Sequence, residues 1–323
     1  MTSMTAKISD SGPVAPLGKV MWKAFAAAGE MPAPPTVVDD ASRARLKDVV
    51  YTVTEASRQT LLAPSYTDLV ATLDSYPDEK QGFAYEGAGV ALAALDSINP
   101  RQHRVRHLAT NHGSRHTFGI YLGAGMCLGR IRRNPEAFRK RLDDPLMGWL
   151  ILDGYGFYKG FFGYQRHVSN QRISLRVHGY GLRVIDQGIG RAIWFASAGD
   201  VDRVAAIIAG FGEHRRADLW SGAGFACGYS GGFDVTELER LPDLAGPLRH
   251  HLEVGTAMSA RARHLGNNPT EHNERACKAI FGSTSFEAST IVEEAEAGLP
   301  DDVGAPTYAL WRDRVLRTLQ SSC

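Results

Sequence analysis

Four carboxylates stand beside a recurring Gly-x-Gly string: Glu86, Asp153, Asp186 and Asp218. If the segments that carry them line one concave surface, the carboxylates converge in a cavity. Mutual repulsion there raises at least one pKa and creates a general acid. In the structural alternative, the same carboxylates cap helix N-termini. The sequence leaves both interpretations open, and the first predicts these four residues as the catalytic set.

Aromatic residues and one arginine accompany the acids. The predicted substrate-binding residues are Tyr155, Tyr158, Arg191, Trp194 and Trp220. Aromatic rings make a suitable wall for a long apolar or polyene ligand, and the arginine would hold a polar head group. Packing in the core is the alternative role of these rings.

No metal and no cofactor are predicted. His103/His107 and His112/His116 have the i, i+4 spacing that suits a metal on a helix, but neither pair encloses a glutamate. The glycine strings resemble a dinucleotide-binding motif. They recur too often for a chain of 323 residues to hold that many nucleotide-binding units.

The recurrence itself is the strongest pattern in the sequence. Successive strings begin 36, 31, 34, 34 and 33 residues apart, and in five of the six the residue four positions after the first glycine is small. Residues four apart share one face of a helix, so small side chains there let a neighbouring backbone approach closely. The strings are Gly87-Ala88-Gly89, Gly123-Ala124-Gly125, Gly154-Tyr155-Gly156, Gly188-Ile189-Gly190, Gly222-Ala223-Gly224 and the degraded Gly255-Thr256-Ala257.

A period near 34 residues leaves room for two helices of about 12 residues and two turns. We therefore expect an all-α protein built from an array of about six helical hairpins with capping helices at both ends. The array is either an open solenoid resembling tetratricopeptide repeats or a closed α/α toroid. Partner helices are predicted at 201–211, 137–152 and 237–253, the last two broken or kinked at prolines.

The chain divides into two parts. Residues 1–36 are expected to be a disordered tail and linker, and residues 37–320 a single helical-repeat domain. Helices near 46–61 and 66–73 would form the N-terminal cap, and an apolar stripe from Tyr308 to Leu319 predicts a closing helix.

Charge and hydropathy exclude some partners. Lys plus Arg number 36 and Asp plus Glu 35, so binding of nucleic acid through bulk charge is not expected. No run of 18 apolar residues and no signal-peptide pattern is present, which predicts a cytoplasmic protein without a membrane span.

Four strings together resemble a known family. They are Tyr85-Glu86-Gly87-Ala88-Gly89, Asp153-Gly154-Tyr155-Gly156-Phe157, Asp186-Gln187-Gly188-Ile189-Gly190-Arg191-Ala192-Ile193-Trp194-Phe195 and Asp218-Leu219-Trp220-Ser221-Gly222-Ala223-Gly224. The chain resembles, from about residue 20 to 315, the bacterial DUF1702-like proteins, a family of unknown function often encoded in gene clusters for enediyne polyketides. The resemblance implies a tailoring or accessory role in natural-product assembly, where the nascent product is a long conjugated polyene.

Two functions of different kinds follow. The first is an enzyme of the cyclase or isomerase type, without a tightly bound cofactor, that holds a hydrophobic small molecule and assists its cyclisation or rearrangement by acid/base chemistry. The second is a non-catalytic repeat scaffold that docks a polyketide-pathway protein, such as a synthase or carrier domain. Convergence of the carboxylates in one water-excluded cavity discriminates between them, because a scaffold needs only an open, solvent-lined groove.

Overall fold

The computed structural model describes residues 40–172, 177–300 and 306–321, and within these ranges the chain contains α-helices and no strand. The expected all-α class is therefore confirmed, while the predicted tail at 1–36 lies outside the described residues. The helices are α1 (Asp40–Leu62), α2 (Tyr66–Asp74), α3 (Asp78–Ile98), α4 (Arg104–Thr110), α5 (Thr117–Arg130), α6 (Pro135–Leu142), α7 (Leu150–Phe162), α8 (Tyr180–Ala196), α9 (Val201–Ala209), α10 (Glu213–Ser230), α11 (Val235–Leu238), α12 (Leu241–Ala245), α13 (Arg249–Leu265), α14 (Glu271–Phe281), α15 (Ser285–Glu296) and α16 (Thr307–Ser321).

The six glycine strings lie in the interiors of α3, α5, α7, α8, α10 and α13, which we call the glycine helices. Each packs against the next in chain order, and α1 packs against the first of them. A Cβ atom at Gly123 would lie only 1.8 Å from the carbonyl oxygen of Glu86 on the preceding glycine helix. Only glycine fits where a neighbouring backbone comes this close.

The same contact recurs along the array. The first glycine of each later string faces the carbonyl oxygen of the residue just before the first glycine of the preceding string. The distances from the missing Cβ to that oxygen are 1.8 Å for Gly123 and Glu86, 1.9 Å for Gly154 and Leu122, 2.0 Å for Gly188 and Asp153, 1.8 Å for Gly222 and Gln187, and 1.8 Å for Gly255 and Ser221.

The second glycine of each string faces the opposite neighbour. Residues two apart point about 200° apart around an α-helix, so one string can serve both sides. A Cβ atom at Gly89, for example, would lie 2.1 Å from the carbonyl oxygen of Ile120 on the following glycine helix. The sixth string has Ala257 at this position, and α13 is the last glycine helix, so no glycine helix follows on that side.

Neighbouring glycine helices run in the same direction. Gly156 meets Ile185 of α8, and Gly160, one turn further along α7, meets Ala192 of α8. Ala192 lies four residues after the first glycine of its own string. The small residues at this offset therefore do face the preceding helix, as the sequence pattern predicts.

The segments between the glycine helices are shorter than expected. Instead of partners of about 12 residues, α4, α6 and α9 have seven, eight and nine residues. The predicted partner at 137–152 is broken near its proline, as expected, and the break begins at Asp143, which takes a left-handed conformation with φ 55° and ends α6. Asp144 then accepts hydrogen bonds from the backbone N–H groups of Leu146 and Met147, which starts a new turn before α7.

The predicted partner at 237–253 is also broken at its prolines and does not form one continuous helix. Its residues divide among α11, α12, a short 3-10 turn and the start of α13. Pro242 and Pro247 each occupy one of the first two positions of a new short helix, where proline is tolerated because its missing N–H is not required. The helix predicted at 201–211 is confirmed as α9, and Asp200 caps it by accepting from the N–H of Arg203.

The two ends of the glycine array approach each other. The ring of Phe83 on α3 lies 5.1 Å from that of Tyr229 on α10. Arg263 of α13 donates to the carbonyl oxygen of Glu79 at 2.8 Å, and Asn268 donates to that of Asp78 at 3.0 Å. The first glycine helix thus contacts the fifth and the segment around the sixth as well as the second.

The closing helix does more than cover the last repeat. On α16, Tyr308 and Trp311 are buried, and the Tyr308 hydroxyl lies 3.2 Å from the Gln187 side-chain oxygen on the fourth glycine helix. Trp311 lies 6.4 Å from Phe118 of the second glycine helix, measured between ring centroids. The C-terminal helix therefore reaches residues of several repeats at once.

Adding one methyl group where a glycine contacts a neighbouring backbone should strongly destabilise the fold. For Gly123→Ala, we expect a loss of about 3 kcal/mol or more in the free energy of unfolding, because the new Cβ overlaps a backbone carbonyl that cannot move alone. Gly210→Ala is the matched control. The new Cβ atom would lie 3.4 Å from the nearest atom, and Gly210 already has a right-handed helical backbone conformation that alanine adopts readily. Urea unfolding measures both, and equal stability of the two variants would contradict the packing argument.

Candidate functional site

A buried charged cluster joins three glycine helices. Arg191 of α8 donates to Asp153 of α7 through Nη1 at 2.7 Å, and its Nη2 lies 3.6 Å from Oε1 of Glu86 on α3. Only 4 %, 5 % and 4 % of Arg191, Asp153 and Glu86 are exposed. We call these three residues the charged triad.

The repeat explains why residues so distant in sequence meet. Glu86 and Asp153 each stand one residue before the first glycine of their string, and Arg191 stands three residues after the first glycine of its own. These two offsets are four residues apart and so share one face of a helix. We call it the inward face.

Two members of the triad, Glu86 and Arg191, line a cleft, and Asp153 pairs with Arg191 behind it. The cleft opens to solvent and is formed by α1 and five of the glycine helices; the space between its lining atoms is about 480 Å³ when open solvent is included. Phe157 and Met126 are inward-face residues of the same cleft, and the guanidinium of Arg191 lies 4.9 Å from the ring centroid of Phe157. The remaining lining residues are Val49, Val50, Val53, Thr54, Phe83, Phe161, Phe162, Phe195 and Ser230.

Burial changes the proton affinities of the triad. Loss of water raises the pKa of Glu86 from 4.5 to about 7; Arg191 lowers it and the nearby Asp153 raises it further. Burial also raises the pKa of Asp153, opposed by its ion pair with Arg191. For Arg191, burial disfavours the cation, but the two carboxylates raise its pKa overall. With a pKa of about 7, Glu86 can gain or lose a proton at neutral pH.

The other two predicted catalytic carboxylates lie outside this cleft. Asp186 is held by Arg215 through two hydrogen bonds of 2.9 and 2.5 Å. Asp218 accepts from Arg183 at 2.9 Å and from Gln187 at 3.2 Å. All four acids lie within helices, so none is an N-terminal cap; Glu86 and Asp153 meet at Arg191, whereas Asp186 and Asp218 pair with other arginines.

Most of the predicted binding aromatics also point elsewhere. Trp194 is fully buried and donates to the carbonyl oxygen of Gly231 at 2.9 Å. Trp220 is buried in the core, Tyr155 lines a different cavity, and Tyr158 packs on Gly129. Among the predicted binding residues, only Arg191 lines the cleft.

Phenylalanines, not tyrosines and tryptophans, form the aromatic wall. The five predicted binding residues do not include Phe83, Phe157, Phe161, Phe162 or Phe195, although three of these rings belong to the aromatic-rich stretch at 155–164 that the sequence offers as a ligand wall. Phe157 has the same offset from its glycine string as Arg191, so that offset could have identified it. Phe161 and Phe195 lie one turn further along the same face, seven residues after the first glycine of their strings, so they too could have been identified. Phe83 and Phe162 have other offsets, and the packing of the helices brings them to the cleft.

The described residues do not group side chains that could hold a metal ion. In residues 40–172, 177–300 and 306–321, no three or more His, Cys, Asp or Glu side chains are grouped to hold a metal ion. His107 lies in α4, but His103 precedes that helix in a left-handed conformation, and His112 and His116 are separated by a turn. Over the same ranges, no helix is long and apolar enough to cross a membrane.

Comparison with family models matches residues 36–319 to one family, described as a protein of unknown function (DUF1702). The chain belongs to the DUF1702 family. The match spans every described helix except the two terminal residues of α16. Comparisons with curated proteins and with solved structures found no match.

The raised pKa of Glu86 predicts how stability depends on pH. Between pH 4.5 and about 7 the folded state keeps a proton that the unfolded state has lost, so stability falls as pH rises through this window. The shift corresponds to about 3 kcal/mol at most. Relative to Glu86→Gln, the wild-type protein should therefore lose up to that amount between pH 4.5 and 7.

Urea unfolding at several pH values measures the difference. Glu79→Gln is the matched control, because Glu79 lies on the same helix, is half-exposed and pairs with Arg45 at the surface. The control should keep the wild-type pH profile. If Glu86→Gln and the wild-type protein show parallel profiles, Glu86 does not titrate in this window.

Proposed function

We propose that this protein binds an elongated apolar molecule of the conjugated polyene class in the aromatic cleft and catalyses its isomerisation or cyclisation by proton transfer from Glu86. The observation that carries the proposal is a carboxyl group, protonated near neutral pH, at an apolar cleft lined by five phenylalanine rings. Apolar pockets with a few converging polar groups and a shifted pKa are typical of active sites.

The fold that we propose for this site is a closed α/α toroid rather than an open solenoid. The contacts of α3 with α10 and with the segment around α13 support closure, because an open array would leave its first and last units apart. Closure places the inward faces of the glycine helices around one shared interior. Such an interior excludes water better than an open groove does.

The charges of the triad suit proton donation to carbon. With Glu86 protonated, the positive charge of Arg191 and the negative charge of Asp153 cancel, and the triad has no net charge. When Glu86 gives its proton to one carbon of the polyene, a delocalised carbocation forms and the triad becomes an anion beside it. Loss of a proton from another carbon to Glu86 restores the acid and leaves an isomer. If the electron pair of a second double bond of the chain first attacks the cation, the new carbon–carbon bond closes a ring, and the proton is then lost from the cation so formed. No oxidant, reductant or cofactor is consumed.

The phenylalanine rings support the same step. Aromatic faces attract cations and also provide apolar contact area for the neutral substrate. Arg191 is fixed by two carboxylates, so its position does not depend on the ligand. The family resemblance suggests the source of the substrate, since gene clusters for enediyne polyketides produce long polyenes.

Binding of a polyene can be tested directly. cis-Parinaric acid, a fluorescent linear polyene, should become brighter on entering the cleft. Phe162→Ala should weaken binding about tenfold, because a large ring contact with the ligand is lost. Phe162 is 38 % exposed, so the variant is expected to fold. Phe286→Ala is the control, as this ring is 68 % exposed and lies outside the cleft.

Catalysis requires a second measurement. Incubation with a linear polyene should shift its ultraviolet-visible spectrum as conjugation changes, and Glu86→Gln should abolish the shift while parinaric acid still binds. Glu79→Gln should behave as wild type. If neither polyene binding nor a spectral shift is observed, the non-catalytic scaffold that docks a synthase or carrier protein becomes the better proposal.

A further inference from the structure

A second cavity uses the opposite face of α7. Tyr155 and Lys159 line it, whereas Phe157 and Phe161, each two residues further on, line the aromatic cleft. The second cavity opens to solvent between α7, α8 and the start of α10, and the space between its lining atoms is about 570 Å³ when open solvent is included. We call it the basic cavity.

The lining of the basic cavity carries more positive than negative charge. Its cations are Lys159, Arg172, Arg183 and Arg215, and its carboxylate is Asp186. Asp218, behind Arg183, supplies a second negative charge at 2.9 Å. Counting both carboxylates, the excess is two positive charges, and the imidazoles of His167 and His214 add hydrogen-bonding capacity.

One side of the basic cavity is rigid and buried. Arg215 is only 7 % exposed, and two of its guanidinium nitrogens bind Asp186. Its third donor group reaches the carbonyl oxygen of Gln171 at 3.3 Å. This arginine therefore ties the start of α10 to α8 and to the segment that follows α7.

That segment is held in an unusual conformation. It makes one π-helical turn, Gln165–Ser169, and Gln171 then takes a left-handed conformation with φ 49°. Gln171 donates to the carbonyl oxygen of Gly210 at 2.7 Å, and His167 Nδ1 lies 2.8 Å from the carbonyl oxygen of Arg172. A non-glycine residue in this region is strained, and such strain concentrates at ligand clamps.

This conformation fixes the positions of two residues that line the basic cavity, His167 and Arg172. The bond between His167 Nδ1 and a carbonyl makes Nδ1 the donor and turns Nε2 into an acceptor. Arg172 is exposed yet anchored, because its backbone N–H donates to the carbonyl oxygen of Arg166 at 3.0 Å. The apolar side chains of Leu182, Ile185 and Ile189 also line the basic cavity.

We infer that the basic cavity binds an organic phosphate monoester, with its phosphate against the cations and its apolar part on α8. A phosphate monoester carries between one and a half and two negative charges at neutral pH, about the excess found in the lining. Guanidinium groups match phosphate oxygens in pairs. The inference does not depend on the proposed chemistry of the aromatic cleft, which lies on the other face of α7.

Isothermal titration with small probes tests the charge argument. Phenyl phosphate should bind at least about tenfold more tightly than phenyl sulfate, which has nearly the same shape and only one negative charge. Inorganic phosphate should bind more weakly than phenyl phosphate, since it lacks the apolar part. Equal affinities for phenyl phosphate and phenyl sulfate, or no binding of either, would overturn the inference.

Variants identify the site. Arg172→Ala should weaken phenyl phosphate binding about tenfold or more without lowering the melting temperature, because its side chain is exposed. Arg166→Ala removes an equally exposed arginine from the same segment and lies outside the cavity, so it should bind as wild type. Equal weakening by both would mean that the probe senses general surface charge, and the inference would be wrong.

Competition separates this site from the aromatic cleft. Saturating phenyl phosphate should leave parinaric acid fluorescence unchanged. Displacement of the polyene by phenyl phosphate would show one common site and would overturn the inference while leaving the proposed polyene binding intact. Failure of parinaric acid to bind would instead count against the proposed function alone.

Discussion

The structure depends on close contacts in which a backbone carbonyl oxygen of one glycine helix lies where a Cβ atom would be on the next helix. Each such oxygen points at a glycine Cα hydrogen, a weak contact that contributes about 0.5–1 kcal/mol. The larger effect is geometric, because helices packed at backbone distance have almost no rotational freedom. The residue before the first glycine takes part in two ways. The backbone oxygen of Glu86 touches Gly123, and its side chain lies on the inward face beside Arg191.

Tight packing also accounts for the electrostatics of the triad. Two carboxylates and one guanidinium are removed from water, which disfavours all three charges. The ion pair of Asp153 and Arg191 offsets part of this cost, and Glu86 offsets the rest by holding a proton near neutral pH. A buried pair with one additional carboxyl is thus a natural way to obtain an acid that is ready at neutral pH.

A single repeat produces two chemically different cavities because residues two apart face opposite sides of a helix. On α7, Phe157 and Phe161 contribute apolar surface to the cleft, while Tyr155 and Lys159 belong to the basic cavity. On α8, Arg191 belongs to the cleft and Asp186 to the basic cavity. The third and fourth glycine helices therefore connect an apolar site with a polar one.

The sequence by itself determined the all-α class, the six glycine strings and the interest of Glu86, Asp153 and Arg191, because periodicity and offset follow directly from residue order. It could not show that Asp186 and Asp218 bind other arginines, since a helix face says nothing about which neighbour supplies the partner. It also could not give the lengths of the short linking helices, where Asp143 ends one helix and the prolines begin new ones. Only the tertiary structure decided that phenylalanines from several repeats form the cleft, because that wall exists only after the helices have packed at the distance that glycine allows.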